Sequence, residues 1–196
     1  MNGTTQTTSV EGKHGRVRLG ALLAAFLMVG AVVVVSSRSA FSDTTDNASN
    51  SWTAGTVVIT DDDGGSAMFN ATAMAPGDST TECIAVTYSG SLVPADVSLY
   101  GVSGGTGLDA YLDVTIDLGT GGAFGDCTGF AGSNSYTGTL ANFSATHTNF
   151  GTGVGGWSPA VNPESRTYRI TVTMQDNNAA QGLNGTATFT WEAQNQ

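Results

Sequence analysis

The feature that most restricts this chain is a hydrophobic period of two. Leu108, Ala110, Leu112, Val114, Ile116 and Leu118 alternate with Asp109, Tyr111, Asp113, Thr115 and Asp117. Tyr168, Ile170, Val172 and Met174 alternate with Thr167, Arg169, Thr171 and Thr173, and Ala187, Phe189, Trp191 and Ala193 with Thr186, Thr188, Thr190 and Glu192. Successive side chains of a strand point to opposite faces, so these runs predict strands with one buried and one wet face. Less regular strands are expected over Thr53–Thr60, Ala67–Ala73, Thr80–Tyr88, Ala95–Gly101 and Ser135–Leu140. Turn signals separate them at Asp63-Gly64-Gly65, Pro76-Gly77-Asp78, Ser103-Gly104-Gly105 and Gly119–Gly122. The expected fold is therefore all-β: one antiparallel β-sandwich over 52–196, jelly-roll-like or of immunoglobulin-like topology. Asn142–Val161, rich in Gly, Thr and Asn, reads as a long loop carrying Trp157, and only Asp176–Gln181 suggests a short helical turn.

Charge is distributed just as unevenly. Four of the six basic residues, Lys13, Arg16, Arg18 and Arg38, lie in the first 38 positions, and no charge falls between Arg18 and Arg38. A basic region over 1–18, an apolar helical core over 19–35 and the small residues Ser37, Ser39 and Ala40 read as a secretory signal over 1–40. Cleavage is expected between Ala40 and Phe41, leaving a flexible N-terminal stretch over 41–51 ahead of the sandwich. The apolar core is long for a signal, and if it stays uncleaved it is the chain's only expected contact with a membrane. Either way the basic flank stays inside and the remainder is exported, to a secreted or cell-surface location.

The exported part carries Arg166 and Arg169 against fifteen acids, a net charge of −13, and no lysine. Such a surface excludes nucleic acid as a partner, since phosphate binding needs a basic patch. It also repels its own copies at low salt, so self-association requires ionic screening or a contact dominated by backbone hydrogen bonds. Cys83 and Cys127 both lie in the exported part, and an even count in an oxidising compartment predicts one disulfide.

Catalytic signals are weak. The one histidine after the cleavage position, His147, sits in a polar run and has no nucleophile elbow to serve. No H-E-x-x-H pair is present for zinc. Asp61-Asp62-Asp63 before Gly64-Gly65 is the one run that invites a hard cation such as Ca²⁺, although its spacing is not that of an EF-hand loop, and a solvated turn is the plainer reading. Asp109, Asp113 and Asp117 are too far apart along one strand, about 13 Å for four residues, to share an ion, and are expected to keep a sheet face wet. No enzyme activity and no cofactor are therefore expected. Asn47-Ala-Ser, Asn70-Ala-Thr, Asn142-Phe-Ser and Asn184-Gly-Thr match the N-glycosylation acceptor pattern, as such triplets also do by chance in a Thr- and Ser-rich chain.

The junction Ser39-Ala40-Phe41-Ser42-Asp43, then Asn50-Ser51-Trp52-Thr53-Ala54-Gly55-Thr56-Val57, resembles the start of the TasA/camelysin family, and Ala75-Pro76-Gly77-Asp78-Ser79 resembles that family's Pro-Gly-Asp turn. The resemblance covers roughly 41–90. It implies processing by a SipW-type signal peptidase, a jelly-roll domain and a structural role in a biofilm matrix or cell-surface coat, with other matrix or cell-wall components as partners. No zinc ligand set matches, so the metalloprotease activity for which camelysin is named does not carry over. A physical mechanism accompanies this expectation. Phe41, Ser42 and Asp43 open a polar leader running toward Trp52, and if it pairs with the sheet edge of the next subunit, a head-to-tail homo-oligomer or fibre grows. A non-assembling surface or adhesin module is the alternative.

Overall fold

The structure, a computed structural model, describes residues Thr53–Gln196, and its strands fall into two antiparallel sheets. Those strands are β1 (Ile59–Asp61), β2 (Ser79–Tyr88), β3 (Ala95–Gly105), β4 (Leu112–Thr120), β5 (Ala131–Thr139), β6 (Val154–Trp157), β7 (Glu164–Met174) and β8 (Gly185–Asn195). The larger sheet has the order β1-β2-β7-β4-β5 and the smaller β6-β3-β8. The last two strands, β7 and β8, lie in different sheets, whereas an immunoglobulin topology keeps them together. In the larger sheet β2 pairs with β7, and in the smaller β3 pairs with both β6 and β8, so the two layers form an antiparallel β-sandwich.

Alternation delivers the core. Ile84, Val86 and Tyr88 of β2, Val114 and Ile116 of β4, and Tyr168 and Ile170 of β7 are all essentially inaccessible, and Val97 and Leu99 of β3 meet them from the other layer. Each such side chain contributes about 1.5–3 kcal/mol by leaving water. Tyr168 can be fully buried because its hydroxyl donates to the Gly155 carbonyl at 2.7 Å. Gly155 holds φ at 59°, and a Cβ there would stand 2.6 Å from the Tyr168 ring, so β6 approaches β7 this closely only with glycine.

Several expected elements differ. The strand expected from Leu108 begins at Leu112; Leu108–Tyr111 form a 3-10 turn, opened by Gly107 at φ 103°. Of Thr53–Thr60 only Ile59 and Thr60 enter the sheet, because β2 ends at Tyr88, the partner of Ile59; the preceding Thr56 is instead tied to Ser91 and Leu92. Ala67–Ala73 is no strand but an irregular segment that tucks Met68 and Phe69 against the core. Asn142–Val161 is not one loop. It holds most of a helix, α1 (Leu140–Thr146), then a 3-10 turn over Phe150–Thr152, then β6 with a buried Trp157. The helix is capped by Thr139, whose hydroxyl accepts from the Asn142 N–H at 3.1 Å, and it buries Leu140 and Phe143. Two large apolar side chains in seven residues are too few to show a helical period. The turn expected in Asp176–Gln181 is present as a 3-10 turn over Asn178–Ala180.

Candidate functional site: an open sandwich edge beside a stapled loop

A five-stranded sheet under a three-stranded one leaves uncovered area, and here it lies beside β8. Among the described residues β8 pairs only with β3, along eleven positions from Ala95↔Asn195 to Gly105↔Gly185. Its other edge presents unpaired backbone N–H and C=O groups. Phe189 and Trp191 face inward from β8, packing on Phe143 and Tyr168 at ring separations of 5.7 and 5.6 Å, yet both stay only half-buried. Between them and the larger sheet is a cavity of about 530 Å³, lined in part by Met68, Phe69, Met74, Ile84, Phe189 and Trp191. A further cleft of about 310 Å³ continues between β1 and β8, past Ile59 and Thr60. The Trp191 indole N–H is buried without a hydrogen-bond acceptor among the described residues. The irregular segment between Asp63 and Asp78 covers this side in place of a paired strand, which is why its Met and Phe side chains are needed there.

The acidic run lies next to this opening. Asp62 accepts the Ala85 N–H and the Phe124 N–H, each at 2.8 Å, with one oxygen apiece, and Asp63 accepts the Gly65 N–H at 2.6 Å. The three carboxylates thus tie backbone segments together rather than pointing at a common centre. Partial burial, together with hydrogen bonding to Asp63, raises the Asp61 pKa above the ordinary carboxylate value. Among the described residues no group of three or more His, Cys, Asp or Glu side chains is placed to hold a metal ion.

Phe124 belongs to the β4–β5 connection, which folds back across the outer face of the larger sheet. Cys127 in this connection is joined to Cys83 of β2 by a disulfide, Cα–Cα 5.3 Å, and the Gly125 N–H donates to the Cys83 carbonyl at 3.1 Å. Underneath runs a row set by the strand register: Cys83 opposite Arg169, Arg169 opposite Asp117, Asp117 opposite Asn134. Arg169 donates twice to one Asp117 oxygen, at 2.7 and 3.1 Å, and its guanidinium sits 4.5 Å from the Phe130 ring centre. Asp117 was expected on a wet face; it is 9% exposed because the returning connection covers it. Asp109 departs from that face as well, lying in the 3-10 turn and accepting from Ser103 at 2.5 Å, while Asp113 stays exposed and accepts from Gln175 at 2.6 Å.

His147 closes α1 rather than sitting in a loop. Its ring packs beside Tyr136 and Phe143, 5.2 and 5.4 Å between centres, and Nδ1 donates to the Thr152 carbonyl at 2.5 Å. That is a structural placement. Ala40, Phe41, Ser42, Asp43 and Trp52, named for cleavage and assembly, lie outside the described residues, as does the apolar segment over 19–35. No helix among the described residues is long and apolar enough to cross a membrane. The sequence does not single out the open edge of β8. Its signal was present in Thr186–Ala193, but alternation does not say which strand is left without a neighbour. No protein-family model matches the chain, and no curated protein matches it either.

Proposed function

We propose that this chain is an exported structural protein of the extracellular matrix or cell surface, and that its subunits assemble by donating the leader over 41–51 to the open edge of β8 in the next copy. The observation that carries this reading is the eleven-residue β8, one edge of which is unpaired among the described residues, beside a mainly apolar cavity of about 530 Å³. An added strand satisfies the free backbone groups and covers Phe189 and Trp191. The contact is head-to-tail, so it propagates instead of closing. Backbone hydrogen bonds supply affinity that side-chain charge opposes at −13. Release of the N-terminus by a SipW-type peptidase at Ala40–Phe41 is the trigger, because a membrane-held leader cannot reach a neighbour. The family resemblance at 41–90 supports the same role.

The test is electron microscopy and sedimentation of the mature protein, with and without 1 M salt, beside a variant lacking Phe41–Asn50. Filaments from the first and a folded monomer from the second are expected. A second variant, Ala187→Arg, places a bulky charge at an exposed position lining the cavity and should also block assembly. Filaments that persist in the deletion variant refute strand donation. A monomer under all conditions makes the chain a non-assembling surface module.

A further inference from the structure

We infer that Asn70 is a site of N-glycosylation, a reading that rests on export of the domain. Three acceptor triplets fall among the described residues, and the fold treats them differently. Asn142-Phe143-Ser144 lies in α1; Phe143 is 1% exposed, and the Ser144 hydroxyl is engaged with Ser103 and with the Ala141 carbonyl. Asn184-Gly185-Thr186 is pinned on both sides. The Asn184 N–H donates to the Thr106 hydroxyl at 2.8 Å, its carbonyl accepts from the Thr106 and Leu108 N–H groups, and Thr186 is paired in β8. Neither can present its asparagine amide and its hydroxyl to an enzyme without unfolding that part of the domain.

Asn70-Ala71-Thr72 is as exposed as Asn184-Gly185-Thr186 but is free of its backbone pairing. All three residues are exposed, and they lie in no helix or strand. The segment is held at its ends, by Ser66 N–H to the Asp63 carbonyl and Ala75 N–H to an Asp78 carboxylate oxygen. Between those ends its anchors are apolar: Met68, Phe69 and Met74 pack against the core. An asparagine flanked by buried anchors yet exposed itself is displayed outward on a backbone with no ladder to break. Such a segment can adopt the turn in which the Thr72 hydroxyl reaches the Asn70 side-chain amide.

The transfer needs a lipid-phosphate-linked oligosaccharide as donor. The Asn70 amide nitrogen bonds to the anomeric carbon; the carbon–oxygen bond to the lipid phosphate breaks, the phosphate leaves with that electron pair, and one amide proton is released to solvent. Asn70 and Gly185 both line the cavity, so the glycan stands at its mouth, beside the start of β8. There it shields an open strand edge from unprogrammed pairing.

The test uses the protein secreted by the organism that makes it. Cleavage ahead of Asp63 and Asp78 gives a peptide over 63–77 in which Asn70 is the single asparagine. Its mass should exceed the peptide mass by whole sugar units. Asn70→Gln and Thr72→Ala should each remove the increment, and Asn142→Gln should leave it. An increment lost in Thr72→Ala but kept in Asn70→Gln places the sugar on another side chain and overturns the proposal. So does a peptide of unmodified mass from secreted protein that begins at Phe41, with export itself left standing. Full-length protein found only inside the cell overturns export and this proposal together.

Discussion

Removing the Cys83–Cys127 cross-link should lower stability chiefly through the unfolded chain. The two residues are 44 positions apart. Closing a loop of that length in the unfolded ensemble costs conformational entropy worth about 4 kcal/mol at 25 °C. The folded side loses little, because the β4–β5 connection keeps its other anchors: Gly125 on the Cys83 carbonyl, Phe124 on Asp62, and Phe130 on Arg169. For a domain of this size each kcal/mol shifts the melting midpoint by about 3–4 °C, so the loss approaches roughly 12–16 °C. The assay is thermal and urea unfolding of oxidised protein, reduced protein and the Cys83→Ala/Cys127→Ala variant. The reduced protein deletes no atoms, so agreement between it and the double variant to within about 1 kcal/mol separates chain entropy from the small cavity left at buried Cys83. The urea m-value should rise in both, since an uncross-linked chain exposes more surface when it unfolds. A midpoint within about 3 °C of the oxidised protein, or a drop with m unchanged, would refute the reasoning.

Other consequences follow from the same contacts. Arg169→Met should destabilise by about 2 kcal/mol, because it leaves the covered Asp117 carboxylate without its cation; Asp117→Asn in the same background should restore part of that loss, measured by urea unfolding. Asp62→Ala frees the Ala85 and Phe124 amides and should cost about 1–2 kcal/mol, whereas Ca²⁺ added to wild type should raise the melting midpoint no more than Mg²⁺ at equal ionic strength. Glu164 has its pKa held below the ordinary carboxylate value, first by the Ala160 N–H and then by the Val161 N–H and Arg166. Its contribution is therefore complete above the unfolded value of about 4.3 and fades as pH falls through the lower folded value. Wild type should melt above Glu164→Gln at pH 7, and the gap should close toward pH 3.

What the sequence determined by itself is the set of long strands and the sidedness of each. In β7 and β8 the alternation of apolar and Thr-rich positions is strict, so the inward face of each follows directly, while their registers with β2 and β3 come from the fold. The disulfide was legible for a different reason: two cysteines admit one pairing. The short elements were not legible. A seven-residue helix capped by Thr139 and a four-residue β6 carry too few residues to display any period. Tertiary structure alone decided the rest. It put the β4–β5 connection over Arg169 and Asp117, so that an acid on the outer face became the covered partner of a half-exposed arginine. It also left β8 at the margin of the smaller sheet, because strand order depends on how crossovers stack two layers of unequal width, and alternation along one strand is blind to what lies beside it.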